Sequence, residues 1–153
     1  WVGLCWQGNP GYHADRRRSP GLAPLLPLLD VPNIRLASLQ SGAGRDQLLK
    51  LSDHPLDLGN EEDPAIGFGF EGTAAIVEAL DLVVTSDTAI AHLAGALGKP
   101  LWLLLPFIPD WRWQMAGPST PWYPSARLFR QLMAGDWATP VKAIAEGLKD
   151  FHE

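Results

Sequence analysis

The sequence predicts a doubly wound, Rossmann-like α/β domain, a parallel sheet of about six strands with helices on both faces. Two patterns and one bound carry that prediction. Short runs that are apolar almost throughout, at Val2 to Gln7, Leu82 to Thr85 and Leu101 to Leu105, alternate with stretches of helical spacing. Parallel strands covered on both faces read this way, because their neighbours must be joined by crossover helices. Turn-forming residues separate the runs. The bound is length, since 153 residues suffice for one core and not for two, so 1–153 reads as one unit.

In chain order, Val2 to Gln7 is a buried strand ending in the turn residues Gly8-Asn9-Pro10-Gly11. A charged loop follows. Leu22, Leu25, Leu26, Leu28 and Leu29 form an apolar stripe of helical spacing, with Ser19-Pro20 as cap and first position. Pro24 and Pro27 count against it, since each lacks a backbone donor. Ile34 to Gln40 is a second strand and Arg45 to Ser52 a short helix. Between Asp53 and Gly72 periodicity is weakest, with a short strand at Leu56 to Leu58 and an acidic turn at Asn60 to Pro64. Thr73 to Leu80 is a helix, Leu82 to Thr85 a strand, Thr88 to Leu97 a helix stopped by Gly98, and Leu101 to Leu105 a strand. After a long aromatic loop come a last strand at Arg127 to Arg130 and a last helix at Pro140 to Phe151. Ligands of such folds bind beyond the carboxyl ends of the strands, where strand order reverses. The loops after Gln7, Gln40, Thr85 and Leu105 are therefore the ones that matter.

Twelve Lys and Arg against 17 Asp and Glu leave a net charge of -5, which disfavours nucleic acid or an anionic membrane as the main partner. No run approaches the roughly 18 apolar residues of a membrane span, and no charged-then-apolar leader opens the chain, so a soluble, cytoplasmic protein is expected. The single cysteine, Cys5, lies in an apolar run; it excludes an intrachain disulfide, fits a reducing compartment and reads as core packing. Trp1 opens the chain at a strand with neither Met nor leader, as an excised domain would, and a partner domain holding half of an active site is expected elsewhere in the protein.

Three clusters bear chemistry. The first is Thr85-Ser86-Asp87-Thr88, running from a buried strand into a helix of small residues, with His92 one turn on. One cap suffices for a helix, and either Asp87 or Ser86 serves; the free N–H groups and positive dipole end of that terminus attract phosphate. The second is His13-Ala14-Asp15-Arg16-Arg17-Arg18-Ser19. As a charge run alone it reads as a solvated loop, but its place after the first strand puts it across the crevice from Thr88, where one or two of the arginines face a diphosphate. The third is Pro106-Phe107-Ile108-Pro109-Asp110-Trp111-Arg112-Trp113 with Pro121-Trp122-Tyr123-Pro124. Trp111 and Trp113 read equally as packing anchors alone or as more than that, and Arg112 between them could reach an anionic or sugar ligand. Gly67-Phe68-Gly69-Phe70-Glu71-Gly72 matches G-x-G-x-x-G by letter, yet no strand precedes it, so nicotinamide binding is discounted. Metal-ligand spacing is absent: His13, His54, His92 and His152 are scattered.

Together, the basic loop, S-D-T-A-x-A-H-x-A-x-A-L-G-x-P and P-F-x-P-D-W-R-W resemble the C-terminal, donor-binding half of glycosyltransferase family 9, the heptosyltransferase-like enzymes of GT-B architecture. The version at the end of bacterial tetratricopeptide-repeat proteins is more similar still. The resemblance covers Val2 to about Leu148 and implies a nucleoside-diphospho-sugar site as substrate site, no cofactor, no metal, an unknown acceptor, and an N-terminal domain outside this chain that supplies the base. It implies that Arg18 and Asp87 carry the catalytic contribution, Arg18 against the leaving diphosphate and Asp87 on the donor sugar. Thr88 and the backbone of Ala89 would bind diphosphate. Asn9, His13, Arg16, Gln40 and Arg112 complete the donor site, Asp46 is a candidate for the ribose hydroxyls, Phe70 contacts the base, and His92 supports Thr88 or the Arg16 to Arg18 loop by a hydrogen bond. Arg18 stands where heptosyltransferases carry a lysine, which keeps the charge and makes the contact bidentate. The alternative is a degenerate scaffold module that transfers no sugar and whose crevice is filled by its own side chains.

Overall fold

A computed structural model describes residues 1–60 and 69–151. Six strands, β1 (Val2–Cys5), β2 (Leu36–Ser38), β3 (Leu56–Asp57), β4 (Leu82–Ser86), β5 (Leu101–Leu105) and β6 (Ala126–Arg130), form one sheet in the order β3-β2-β1-β4-β5-β6. Every pairing is parallel. The chain walks outward from β1 to β3, then returns to the other flank of β1 for β4, so strand order reverses between β1 and β4. A reversal there parts the loops that leave those two strands and opens a crevice between them.

Alternation along the strands builds two core layers. Val2, Leu4, Leu82, Val84, Trp102 and Leu104 face one side, under Leu25 and Leu28 and under Val141, Ile144 and Leu148 of α5 (Ala138–Lys149). Cys5, Val83, Leu101, Leu103 and Leu105 face the other, under Val77 of α3 (Gly69–Ala79) and Ala91 and Ala94 of α4 (Ala89–Ala96). The alanines let α4 lie close to the sheet. It stops as expected at Gly98, whose φ is 69°: the N–H of Gly98 meets Gly95 O at 3.1 Å and that of Lys99 meets Ala94 O at 3.0 Å, a Schellman closure that satisfies the terminal carbonyls.

Several elements depart from the sequence expectation for local reasons. The stripe over Leu22 to Leu29 is a 3-10 helix, Ala23–Asp30, entered from Leu22 and not capped by Ser19; Pro24 and Pro27 withhold the donors of a regular α-helix. The charged loop contains a single helical turn, α1 (Asp15–Arg18). The second strand shortens to Leu36–Ser38, and the helix after it, α2, to Arg45–Leu48. Helix α3 starts at Gly69 instead of Thr73, whose hydroxyl bonds back to Gly69 O at 3.1 Å rather than capping. Most of the acidic turn, with Gly67 and Phe68 of the glycine-rich stretch, lies outside the described residues; Gly69 to Gly72 are helical. Helix α5 begins two residues early, at Ala138, because the Asp136 carboxylate receives the Thr139 N–H (3.2 Å) and hydroxyl (2.6 Å).

Tyr123 lies against α4 at Gly95, where a Cβ would stand 2.4 Å from its ring. Gly95→Ala is accordingly expected to lower stability by about 1–3 kcal/mol, the range of core overpacking, read from the urea midpoint. An unchanged midpoint would mean that the ring is free to move aside.

Candidate functional site

The crevice at the strand reversal is a cavity of about 580 Å³. Its walls come from the loop after β1 (Gly8, Asn9, Pro10, Arg18), the loop after β2 (Gln40, Ser41, Ala43), the start of α3 (Gly69, Phe70, Thr73) and the start of α4 (Thr88, Ala89, Ile90). Arg18 and Thr88 thus share one space. Phe70 lines the same cavity and is 65% exposed, leaving a ring face open to a ligand.

Arg18 is held by its own loop. Its Nε lies 3.3 Å from Asp15 Oδ1, and its guanidinium sits 4.5 Å from the centroid of the Tyr12 ring. Asp15, buried, also receives the Ser19 hydroxyl at 2.9 Å, and Ser19 Oγ receives the Gly8 N–H at 3.0 Å. One edge of the guanidinium is therefore anchored, while its terminal amino groups have no hydrogen-bond partner among the described residues. Gly8 belongs to the arrangement, since a Cβ there would stand 2.7 Å from both Arg18 Nη2 and Asp15 Oδ1.

Across the cavity, Thr88 is the N-cap residue of α4 in extended conformation (φ -131°, ψ 174°), with no side-chain cap bond. Neither Asp87 nor Ser86 caps the helix, contrary to both expectations. The Ala91 N–H closes the first turn on Thr88 O at 3.1 Å, and among the described residues the N–H groups of Ala89 and Ile90 have no partner outside the helix. The Thr88 hydroxyl points into the fold, 3.0 Å from that of Thr85 and 3.9 Å from Cys5 Sγ; what Thr88 offers the cavity is the turn it starts rather than its oxygen. Cys5 forms part of the wall, and burial pushes its thiol above the ordinary value.

Gln40 lines the cavity but spends its amide on the protein. Oε1 accepts from the N–H groups of Trp6 and Gln7, both at 3.0 Å, and Nε2 donates to the carbonyls of Gln7 (3.0 Å) and Ala43 (2.8 Å). It ties the loop after β1 to the loop after β2 and so fixes the part of the wall that it lines. Other expected ligands lie outside the cavity lining. Asp46 is exposed and paired with Lys50 at 2.9 Å, Arg16 is exposed, and His13 is an exposed ring against Tyr12. Arg112 lies 3.4 Å from Asp110. Asn9 stays in the wall.

Asp87 and His92 adjoin the cavity without lining it. Asp87 is 4% exposed. His92 Nδ1 is 2.8 Å from the Tyr123 hydroxyl and its Nε2 is 3.8 Å from Asp87 Oδ1, so it supports neither Thr88 nor the arginine loop by a hydrogen bond. Burial, ahead of the opposing pull of Asp87, lowers its pKa from 6.5. The aromatic loop is ordered by Arg130, which donates to the carbonyls of Trp113, Gln114 and Gly117. Trp113 is fully buried, whereas Trp111 is 72% exposed and meets Trp122 edge on. Asp15 and Tyr123 were not foreseen as site residues; the i, i+4 pair Asp15 and Ser19 was the legible trace of the first.

This arrangement defines a doubly wound α/β domain whose switch point holds a corner between Arg18 and the start of α4, in the fold of the C-terminal half of heptosyltransferases. No family model matches the chain. Among solved structures it is similar to E. coli ADP-heptose LPS heptosyltransferase II, with a TM-score of 0.61 and 21% identity, over 97% of this chain and 45% of that one. It is also similar to E. coli heptosyltransferase WaaC with ADP-2-deoxy-2-fluoro heptose, TM-score 0.66 and 15% identity over 98% and 42%, and to WaaC with ADP, TM-score 0.60 and 14% identity over 98% and 43%. Among curated proteins it is similar to Protein FlbA of Caulobacter vibrioides (strain ATCC 19089 / CIP 103742 / CB 15), 29% identical over 152 residues, which are 98% of this chain and 25% of that protein. The chain spans a quarter of the curated relative and less than half of each solved enzyme. Among the described residues no helix is long and apolar enough to cross a membrane.

Proposed function

We propose that this chain is the donor-binding half of a glycosyltransferase: it holds a nucleoside-diphospho-sugar and stabilises the diphosphate as it leaves. The observation that carries the reading is the open cavity at the β1/β4 reversal, with the Arg18 guanidinium on one side and the start of α4 on the other. Both are positive, and both act on the end of the ligand where negative charge grows during transfer. The ADP and ADP-sugar analogue named with the WaaC structures are ligands of the same chemical class. In this reading the diphosphate bridges the Ala89 and Ile90 N–H groups and Arg18, the base lies toward Phe70, and the sugar extends toward Asp87. Arginine and helix terminus supply the positive charge, so transfer proceeds without a metal. The acceptor and its base belong to a further domain, and the full protein acts in the cytoplasm as a tetratricopeptide-repeat enzyme. The scaffold alternative called for a crevice filled by its own side chains, and no such filling is seen among the described residues.

Calorimetric titration of the chain with ADP, GDP and UDP tests the reading. At least one is expected to bind with a dissociation constant below 1 mM, about 4 kcal/mol. No heat from any of them at millimolar concentration would remove the proposal.

A further inference from the structure

The P-W-Y-P stretch lines no part of the cavity, yet its tyrosine is built into the fold beside it. Tyr123 packs on the backbone of α4 at Gly95, and its hydroxyl meets His92 Nδ1 at 2.8 Å. The opposite nitrogen of the imidazole faces Asp87 Oδ1 at 3.8 Å. One face of the ring stacks on buried Trp113, with centroids 5.4 Å apart and planes 25° apart. The loop before β6, the 3-10 turn at Trp111–Trp113 and the β4–α4 junction thus hold a single imidazole between them.

The arrangement favours one polarity. Nε2 faces Asp87 Oδ1 at 3.8 Å, too far for a hydrogen bond and close enough for the carboxylate charge to favour a proton on that nitrogen. In that tautomer Nδ1 accepts from the Tyr123 hydroxyl, and in the other it donates to it. The Asp87 side chain is 6% exposed, and its partner among the described residues is His92, beyond full hydrogen-bond distance. Its oxygens therefore keep lone pairs that donors entering from the adjoining site can take.

We propose that Tyr123 is a positioning residue: by fixing the orientation and tautomer of His92, it holds Asp87 as an acceptor for hydroxyl groups of the donor's sugar. This rests on the donor-site reading and extends it to how the two ends of one ligand are told apart. The corner of Arg18 and the α4 N-terminus takes the anion, while the carboxylate one residue before Thr88 repels an anion and accepts hydroxyls. The charged groups facing His92 are Asp87 from the β4–α4 junction, Arg112 and Asp110 from the aromatic loop, and Arg18 from α1. With its pKa lowered by burial, the imidazole is neutral at pH 7. As pH falls well below 6.5 the ring gains a proton, Nδ1 becomes a donor, and the imidazolium competes with the sugar for Asp87. Sugar recognition weakens accordingly on the acid side.

The test uses the whole chain and Tyr123→Phe, which keeps the ring against Gly95 and removes only the hydroxyl. Nitrogen-15 NMR of the imidazoles is expected to show His92 as the Nε2–H tautomer in the wild type at pH 7 and as a mixture in Tyr123→Phe. Titrations of ADP-glucose, GDP-mannose and UDP-glucose against ADP, GDP and UDP supply the second readout. The variant is expected to reduce the preference for the sugar nucleotide about 3- to 10-fold, the scale of one hydrogen bond, with the nucleoside diphosphate affinity within about twofold of wild type. His92→Gln is expected to lose the same preference. An unchanged tautomer in Tyr123→Phe, or an unchanged preference in a folded variant, overturns the proposal. If no nucleotide binds the wild type, the donor-site reading falls and the sugar role falls with it; a tautomer that still responds to Tyr123→Phe identifies that case as distinct from a failure of positioning.

Discussion

Replacing Arg18 with alanine is expected to weaken nucleoside diphosphate binding by about 1.5–3 kcal/mol, roughly 10- to 150-fold, the contribution of hydrogen bonds to a charged group. The expectation comes from the anchoring of the side chain and not from its charge alone. Nε is engaged with Asp15 and the ring of Tyr12 supports the guanidinium, so little side-chain freedom remains to be lost when a phosphate arrives. The terminal amino groups then meet the ligand as a preset fork. Arg18→Lys retains the charge as a point contact and should fall between wild type and alanine. Stability should change less than binding, because Asp15 keeps its bond from Ser19. Calorimetry on the three proteins, with urea midpoints as the control for folding, checks this. Equal affinities in all three would contradict the placement of the anion beside Arg18.

Gln40→Leu is expected to cost about 3–5 kcal/mol of folding stability, since a buried group left without a partner costs about 1–3 kcal/mol and this residue serves several. Its oxygen takes the N–H groups of Trp6 and Gln7 just where β1 ends, and its nitrogen holds the carbonyls of Gln7 and Ala43. No strand ladder supplies those partners, because β2 stops at Ser38. Leucine matches the volume and offers nothing polar. The loop that carries Arg18 begins at the same point, so nucleotide affinity should fall with stability. Gln40→Glu keeps the acceptor and loses the donors, and should lie between the two. Equilibrium unfolding in urea measures the effect, and a loss below about 1 kcal/mol would mean that water replaces the amide without difficulty.

The outline of the fold was legible because the buried parallel strands announce themselves as apolar runs. Leu101–Leu105 falls where the pattern put it, and Gly98 ends α4 through a closure that its position implies. Elements decided by side-chain bonds to the backbone were misplaced. Nothing in the periodicity says that Thr73 bonds back to Gly69, that Asp136 starts α5, or that Gln40 takes the place of strand pairing beyond Ser38. The two prolines in the leucine stripe were visible, and their preference for a 3-10 helix over an interrupted α-helix was not.

The site was legible in the same uneven way. That the loops after β1 and β4 flank one crevice follows from topology, and it brings Arg18 and Thr88 together as expected. Topology alone cannot choose among neighbours in a charge run. Arg18 lines the cavity, in a turn fastened by Asp15 and Ser19, while Arg16 and His13 are exposed outside the lining. His92 was given the wrong partner because Tyr123, 31 residues further along the chain, reaches it only through the packing of an aromatic loop on α4. Asp46 lies outside the lining, exposed and paired with Lys50 one helical turn away, a pairing the i, i+4 spacing made legible.

The most direct test of the central claim is a crystal structure of the chain soaked with ADP, GDP and UDP. A diphosphate within hydrogen-bond reach of the Ala89 and Ile90 N–H groups and of the Arg18 guanidinium is the expected result. A nucleotide bound elsewhere, or a corner that stays free of phosphate at saturating concentration, would contradict it.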